Sequence, residues 1–451
     1  MISKRLYKLR QASKLKQLYK TTSLFAIALV LGVTSLTALV TPKAGATSLP
    51  NVVADPGFNT ESGFDGLLYR NILVYQPDGK IIVGGSFTTF NGATQNRLIR
   101  LNQDGSKDNS FDIGSGFDND VSALLLLSDG KIVVGGRFTN FNGNSQNRIV
   151  RLNQDGSIDN SFNVGIGFSG GAIRSLAKDS NNNIYIGNGN SSVYNANISC
   201  SKTIFKVDNN GILDESFCSN INILGTMGTV DDLEIKNNIL YVASWGNKRI
   251  YALNLDGIES NIFLPTSRFI SGRSFCLHLQ SDNKILIGGD QINGGFTTTD
   301  GKQYGPLIRL MPDGSVDESF TVSNVAINNT VSGVITQSDN KIIVSGGFTM
   351  FDGAPQNHII RLNTDGSKDT SFNIGDGFDN YVSQAIIQPD DKLLLGGYFT
   401  TYQNQPHNRL IRLQITPDRD QDGLEDSIED TVSNNGDANN DSILDSNQNN
   451  V

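Results

Sequence analysis

The chain is poor in the residues that do most enzyme chemistry: its 451 residues include three His, three Cys and one Trp. His278, His358 and His407 lie far apart, which leaves no histidine cluster for acid–base or metal chemistry. Positive charge is also short. Lys and Arg total 36 against 45 Asp and Glu, a net charge of −9; phosphate needs a positive surface, so nucleic acid is excluded as an expected partner. Beyond the N-terminal region no segment shows a sustained helical period, and the expected fold class is all-β. Glycine is plentiful, with 47 residues beside 37% hydrophobic content, which fits short strands and turns.

What is present is a repeat. The run Asp129-Gly130-Lys131-Ile132-Val133-Val134-Gly135-Gly136-Arg137-Phe138, continued by Asn147-Arg148-Ile149-Val150-Arg151-Leu152-Asn153-Gln154-Asp155-Gly156-Ser157-Ile158-Asp159-Asn160-Ser161-Phe162, recurs from Asp78 to Phe111 and from Asp339 to Phe372. The residue opening the second strand of each unit is Lys80, Lys131, Asn183, Asn238, Lys284, Lys341 or Lys392, at spacings of 51, 52, 55, 46, 57 and 51. Each unit reads as four short strands; in the second these are Val121–Leu127, Lys131–Gly136, Arg148–Asn153 and Ile158–Asn163. This period predicts a β-propeller, and seven anchors predict seven blades within one domain, residues 47–416. Asp129-Gly130 and Asp155-Gly156 predict two-residue type I′ hairpins. Those tight turns share one face; the long loops, such as 139–147 and 165–171, share the other, where binding is expected.

The seventh unit has three strands, and Ile415-Thr416-Pro417 stands where its fourth should begin. The missing text is at the other end: Asp55-Pro56-Gly57-Phe58 matches Asp108-Asn109-Ser110-Phe111. The N-terminal segment is therefore expected to complete the last blade and remove an open edge. A charge pair marks the register: Arg100–Asp108, Arg151–Asp159, Lys206–Asp214, Arg309–Asp317 and Arg361–Asp369 share one offset. In the fourth unit both members are lost, to Ala252 and Ser260. Arg412 lacks a local partner, and the equivalent acid is Asp55.

The pattern Asp-Gly-Lys-Ile-x-Val-Gly-Gly-x-Phe, then Asn-Arg-x-x-Arg-Leu-Asn-x-Asp-Gly-Ser-x-Asp-x-Ser-Phe, resembles the delta-60 repeat family of bacterial β-propellers. The resemblance spans Asp55 to Leu413; it is close in units 1, 2, 6 and 7, looser in 5 and weak in 3 and 4. It implies a secreted or surface propeller and brings no catalytic residues.

Residues 1–20 carry seven Lys or Arg and no acid, Leu24–Val40 is apolar for 17 residues, and Ala44-Gly45-Ala46 follows. That is the layout of a secretory signal over residues 1–46; an uncleaved signal anchor is the alternative. Cleavage after Ala46 would remove eight positive and no negative charges, taking the net charge from −9 to −17, and would leave a mature chain with no membrane span.

Export bears on the cysteines. Cys200 and Cys218 stand nearly opposite each other about the turn at Asn210-Gly211, so a disulfide and two buried free thiols are both open readings. Cys276 reads as a small buried hydrophobe, with His278 the one base near it.

Features that recur in the blades read as fold: Phe90, Phe141, Phe351 and Tyr402 in the second loop, and Phe64, Phe117, Phe168 and Phe378 between blades. Features that occur once are candidates for function. Gly-Gly-x-Phe becomes Gly187-Asn188-Gly189-Asn190, Ala243-Ser244-Trp245-Gly246 and Gly288-Gly289-Asp290-Gln291 in units 3 to 5. Trp245, Arg249, Tyr251, Asp290 and Gln291 form the candidate ligand surface. Repeat drift, with Trp245 packed between blades, is the plainer alternative.

After Pro417, residues 418–451 hold ten acids and one Arg. Asp418, Asp420, Asp422, Leu424 (through its carbonyl), Asp426 and Glu429 match a calcium loop, with Gly423 at the bend. Asp437, Asn439, Asp441 and Asp445 begin a second copy, with Ser442 replacing the glycine. The tail resembles thrombospondin type 3 calcium repeats, which act as metal-stiffened linkers. A linker ending at Val451 reads as part of a longer or truncated product.

The expectation is a secreted or cell-surface, non-enzymatic binding or scaffold propeller of the bacterial envelope, monomeric, with a glycan, envelope-polymer or protein ligand. An enzyme acting at the central channel, hydrolase or lyase, is one alternative; a purely structural adhesion or surface-layer component is the other. Converging carboxylates and histidine at the inner-strand ends would favour the enzyme.

Overall fold

The computed structural model describes residues 51–195, 198–221, 228–245, 249–263, 269–291, 294–298 and 300–416. The signal segment 1–46 and the calcium tail 417–451 lie outside the described residues.

The fold is all-β and propeller-like, a series of repeated antiparallel sheets. Each repeat unit contributes one main sheet, with a second small sheet beside it in units 1, 2, 5, 6 and 7; the first strands of the main sheets are Leu73–Tyr75, Val121–Leu126, Ile173–Lys178, Val230–Lys236, Ser274–Leu279, Val331–Thr336 and Val382–Ile387. In the second unit Val121–Leu126 pairs with Ile132–Gly136, which pairs with Ile149–Leu152. Both faces of such a sheet are covered by the neighbouring sheets, so the middle strand Ile132–Gly136 is buried along its whole length.

Two expectations are corrected here. The fourth strand is mostly not a strand: in the second unit it is a single bridge, Leu152↔Ile158. In the third unit the same segment is a short helix, Glu215–Asn220, capped by Asp214 on the Phe217 amide. The Asp-Gly turns are not type I′. The Gly130 amide bonds the Leu127 carbonyl, the Leu127 amide bonds the Lys131 carbonyl, and only Gly130 has positive φ. That is a type I turn followed by a left-handed residue. Asp129 stays at negative φ because its carboxylate accepts the Lys131 amide.

The recurring charge pair belongs to a larger module. Asp159 Oδ2 receives Arg151 Nε at 2.7 Å and Lys131 Nζ at 2.9 Å, and its Oδ1 takes the amide and hydroxyl of Ser161. The Arg151 guanidinium lies over Phe162, 4.8 Å from the ring centre, and donates to the Asn209 carbonyl in the next unit. Lys, Arg, Asp, Ser and Phe of the repeat thus form one cluster around a buried aspartate, and in units 1, 2 and 5 its arginine ties the unit to its successor. The copy in the seventh unit joins residues far apart in the sequence. Strand Val52–Ala54 pairs with Leu410–Ile415, Arg412 Nε is 2.6 Å from Asp55 Oδ2, Lys392 Nζ is 2.9 Å from it, and Phe58 lies under the guanidinium.

The recurring aromatics are core, as expected. Phe64–Phe90, Phe117–Phe141 and Phe378–Tyr402 pack at 4.9, 4.5 and 4.7 Å between ring centres, all buried.

The first strands are also linked one to the next. The Leu124 amide bonds the Asn71 carbonyl, Ser122 Oγ the Ile173 carbonyl, and the Leu233 amide Ser175 Oγ. The Leu277 and Leu279 amides donate to Asp232 and Glu234, and the Thr336 amide to His278 Nε2. Ser332 Oγ bonds the Val382 carbonyl, and Ser383 Oγ returns to the Leu68 carbonyl of the first unit. Among the described residues no helix is long and apolar enough to cross a membrane.

Candidate functional site

Six of the first strands carry a register irregularity at the same place, between Val121 and Ala123, Ile173 and Ser175, Val230 and Asp232, Ser274 and Cys276, Val331 and Gly333, and Val382 and Gln384. A β-bulge re-aims the extra residue. Here those residues are Ser122, Arg174, Asp231, Phe275, Ser332 and Ser383, and all but Ser332 line one cavity of about 470 Å³. The first unit adds Tyr69, Arg70 and Asn71, and the seventh adds Tyr381 and Tyr398.

The glycine pair of the repeat sets the other edge. A Cβ on Gly135 would stand 2.5 Å from Ile173 Cγ2, and one on Gly136 would stand 2.1 Å from the Asp120 carbonyl oxygen. The next sheet therefore packs directly on Gly135, Gly136 sits against the Asp120 backbone of its own unit, and the residue after the pair, Arg137 or Tyr398, falls at the cavity. These are ends of second strands and starts of first strands, on the long-loop face.

Electrostatics divide the polar groups into committed and free. Asp231 Oδ1 is shared by Arg174 Nη1 at 3.1 Å and Arg70 Nη2 at 3.3 Å. Arg70 is fixed further by the Phe275 carbonyl and ring. Asp120 lies 3.3 Å from the Tyr69 hydroxyl and 3.6 Å from Arg97. The Arg137 guanidinium and the Tyr398 hydroxyl, by contrast, have no partner among the described residues. Burial pushes the Tyr398 hydroxyl up to about 12, so it remains a neutral donor.

Below the cavity, Asp232, Glu234 and His278 lie on adjoining strands. Sequence reasoning missed these carboxylates, along with Arg70, Arg174 and Asp231. Burial raises Asp232 to about 6 and, with Asp232 beside it, Glu234 to about 8; burial and Lys236 lower His278 to about 4. Each is engaged by a backbone amide of the following sheet. Among the described residues no group of three His, Cys, Asp or Glu is placed to hold a metal ion.

The candidate surface expected from sequence is only partly assembled. Trp245 is 42% exposed, Arg273 lies 4.6 Å over its ring, and Arg273 is 3.9 Å from the buried Asp290. Gln291 donates to the Asn324 carbonyl. Tyr251 is a correction: it is 2% exposed and packs with Tyr185, Phe217 and Leu240, because strand Arg249–Asn254 is covered on both faces. The side chains of Arg249 and Cys200 lie outside the described residues. Cys218 sits on the helix Glu215–Asn220 rather than a strand, and Cys276 is a free, buried thiol.

Five stretches, residues 76–111, 127–162, 280–320, 337–372 and 388–414, match the family "Domain of unknown function (DUF5122) beta-propeller". No curated protein matches the sequence. Among solved structures, the chain is similar to the extracellular domain of a putative one-component system of B. thetaiotaomicron, at 14% identity and TM-score 0.46, over 80% of this chain and 40% of that one. It is similar to streptogramin B lyase at 13% identity and TM-score 0.42, over 81% and 98%. It is similar to the WD40 β-propeller domain of Doa1 at 13% and 0.43, over 81% and 96%. The chain spans about 40% of the length of the B. thetaiotaomicron domain.

Proposed function

We propose that this protein is a non-enzymatic, ligand-binding β-propeller of the extracellular or envelope compartment, with its site at the mouth of the central channel on the long-loop face. The seven sheets are read as seven blades of a closed ring. The links between successive first strands, the return from Ser383 to Leu68 and the pairing of Val52–Ala54 with Leu410–Ile415 support that reading.

One observation carries the functional part: bulge residues from successive blades converge on a cavity that keeps unused donors, Arg137 and Tyr398, while the nearby carboxylates are committed to arginines or backbone amides. A hydrolase or lyase needs an acid or base free to meet substrate. A binding site needs shape and a few directed donors. The signal-like N-terminus supports export, and in an exported chain Cys200–Cys218 is the proposed disulfide.

The C-terminal segment is proposed as a calcium-binding spacer through Asp418, Asp420, Asp422, Asp426 and Glu429, with Asp437, Asn439, Asp441 and Asp445 as a second site, on sequence pattern alone. Calorimetry should detect binding at about 10⁻⁴–10⁻³ M calcium; silence at millimolar calcium would remove this part.

The test of function is binding of the exported protein to an array of glycans and envelope polymers, with calcium and with chelator. A hit that survives deletion of 418–451 and is lost in Arg137→Ala/Tyr398→Ala supports the reading. A hit lost with the tail alone, or unchanged in the double variant, contradicts it.

A further inference from the structure

We propose that the channel mouth takes an acidic saccharide, its anionic group held between Arg137 and Arg174; this rests on the binding reading above. A second cavity, of about 550 Å³, adjoins the first and shares Arg137, Ala172 and Arg174 with it. Its remaining lining brings Arg148, Asn119, Thr229 and three glycines, and no carboxylate.

The two cavities together face four arginines, Arg70, Arg137, Arg148 and Arg174, against two acids, Asp120 and Asp231. Both acids are already engaged, Asp120 by Arg97 and Tyr69, Asp231 by Arg70 and Arg174. A chain of net charge −9 therefore concentrates positive charge at one concave place, which draws anions to it. Arg174 touches Asp231 through Nη1 and its side chain is 38% exposed, leaving its other donors toward the cavity. Guanidinium forks suit carboxylate and sulfate groups.

The opposite wall sets the body of the ligand. Tyr381 and Tyr398 stack at 5.4 Å between ring centres, and Tyr69 meets Tyr398 edge-on at 6.3 Å. These rings present apolar area with polar tips, which matches a sugar ring with its C–H faces and hydroxyls. Arginines on one side and tyrosines on the other fit a charged saccharide better than a bare anion.

The test is calorimetric titration of the full exported chain with oligogalacturonate, a sulfated oligosaccharide, the matched neutral oligogalactoside, and inorganic sulfate. The proposal expects either acidic oligosaccharide to bind, with the neutral one weaker by about tenfold or more, the size of one charge-assisted hydrogen bond. Arg137→Ala and Arg174→Ala should each cost about the same factor, and added salt should weaken binding. Arg137 has no partner among the described residues, so its variant keeps the fold. Preference between the two acidic oligosaccharides identifies the anionic group. Equal binding of the neutral oligosaccharide, unchanged in both arginine variants but lost in Tyr398→Ala, overturns the acidic class and leaves the channel-mouth reading standing. Sulfate binding without any saccharide overturns the saccharide body. Saccharide binding indifferent to all three variants overturns both readings, as does no binding by any probe.

Discussion

At the scale of single residues, an aspartate recurs in every unit but the fourth, and Asp159 gathers cations and a serine about itself. Burial alone would raise Asp159, but Ser161, Lys131 and Arg151 together hold it far below the usual carboxylate range. Asp108, Asp317 and Asp369 behave alike, the last lowered to about 2. A lowered carboxylate stabilises fully above its unfolded pKa and loses that contribution as pH falls through its folded value. Denaturation midpoints should therefore fall steeply from about pH 4 to pH 2, and Asp159→Asn should cost about 3–5 kcal/mol at neutral pH, because it leaves the buried Arg151 unpaired. Glu234 has the opposite sign. Burial and Asp232 raise it to about 8 from an ordinary 4.5, so between those values the folded state keeps a proton that the unfolded state releases. Stability from this site is lost as pH rises through that window. Melting temperature of Glu234→Gln measured from pH 5 to 8.5 should show a flatter slope than the parent; an unchanged slope would assign the titration elsewhere, with Asp232 and His278 the neighbours to examine.

At the scale of elements, the first three strands of each unit and the core aromatics were legible because they recur, the fourth strand was not, and the Arg412–Asp55 pair followed from the same offset. The candidate site was less legible. Alternation of side chains locates strand faces, but a bulge breaks alternation, so Arg174, Asp231 and Phe275 could not be aimed from pattern. A usable signal was nevertheless present. At the bulge position the units closest to the repeat, 2, 6 and 7, carry Ser122, Ser332 and Ser383, whose hydroxyls bond a neighbouring backbone carbonyl. The divergent units 3, 4 and 5 carry Arg, Asp and Phe. Trp245 drew notice by rarity, yet Arg137, the variable residue of Gly-Gly-x-Phe, lies in the cavity instead. The type I′ assignment failed because an Asp carboxylate can accept the amide two residues on, which holds Asp129 at negative φ. The glycine preceding the site offers a direct check. Gly135→Ala places a methyl 2.5 Å from Ile173 Cγ2, and should destabilise by about 1–3 kcal/mol through overpacking, measured by urea denaturation.

At the scale of the molecule, the ring reading joins residues 52–54 and 410–415 in one unit. Val53 stands opposite Gln414 in the terminal pairing. Val53→Cys/Gln414→Cys should therefore close a disulfide on oxidation and raise Tm by several degrees, since it closes a loop of about 360 residues; a double variant that stays reduced under oxidant would contradict the pairing. The cavity brings residues 69–71, 120, 122, 172, 174, 231 and 398 to one place, and the functional account depends on that place. The most direct measurement is hydrogen exchange of the full exported chain with and without a saturating array ligand. The account predicts slowed exchange in peptides covering those first-strand starts and Tyr398, with the Asp-Gly turns on the other face unchanged. Protection confined to the turn face, or to residues 417–451, would contradict it.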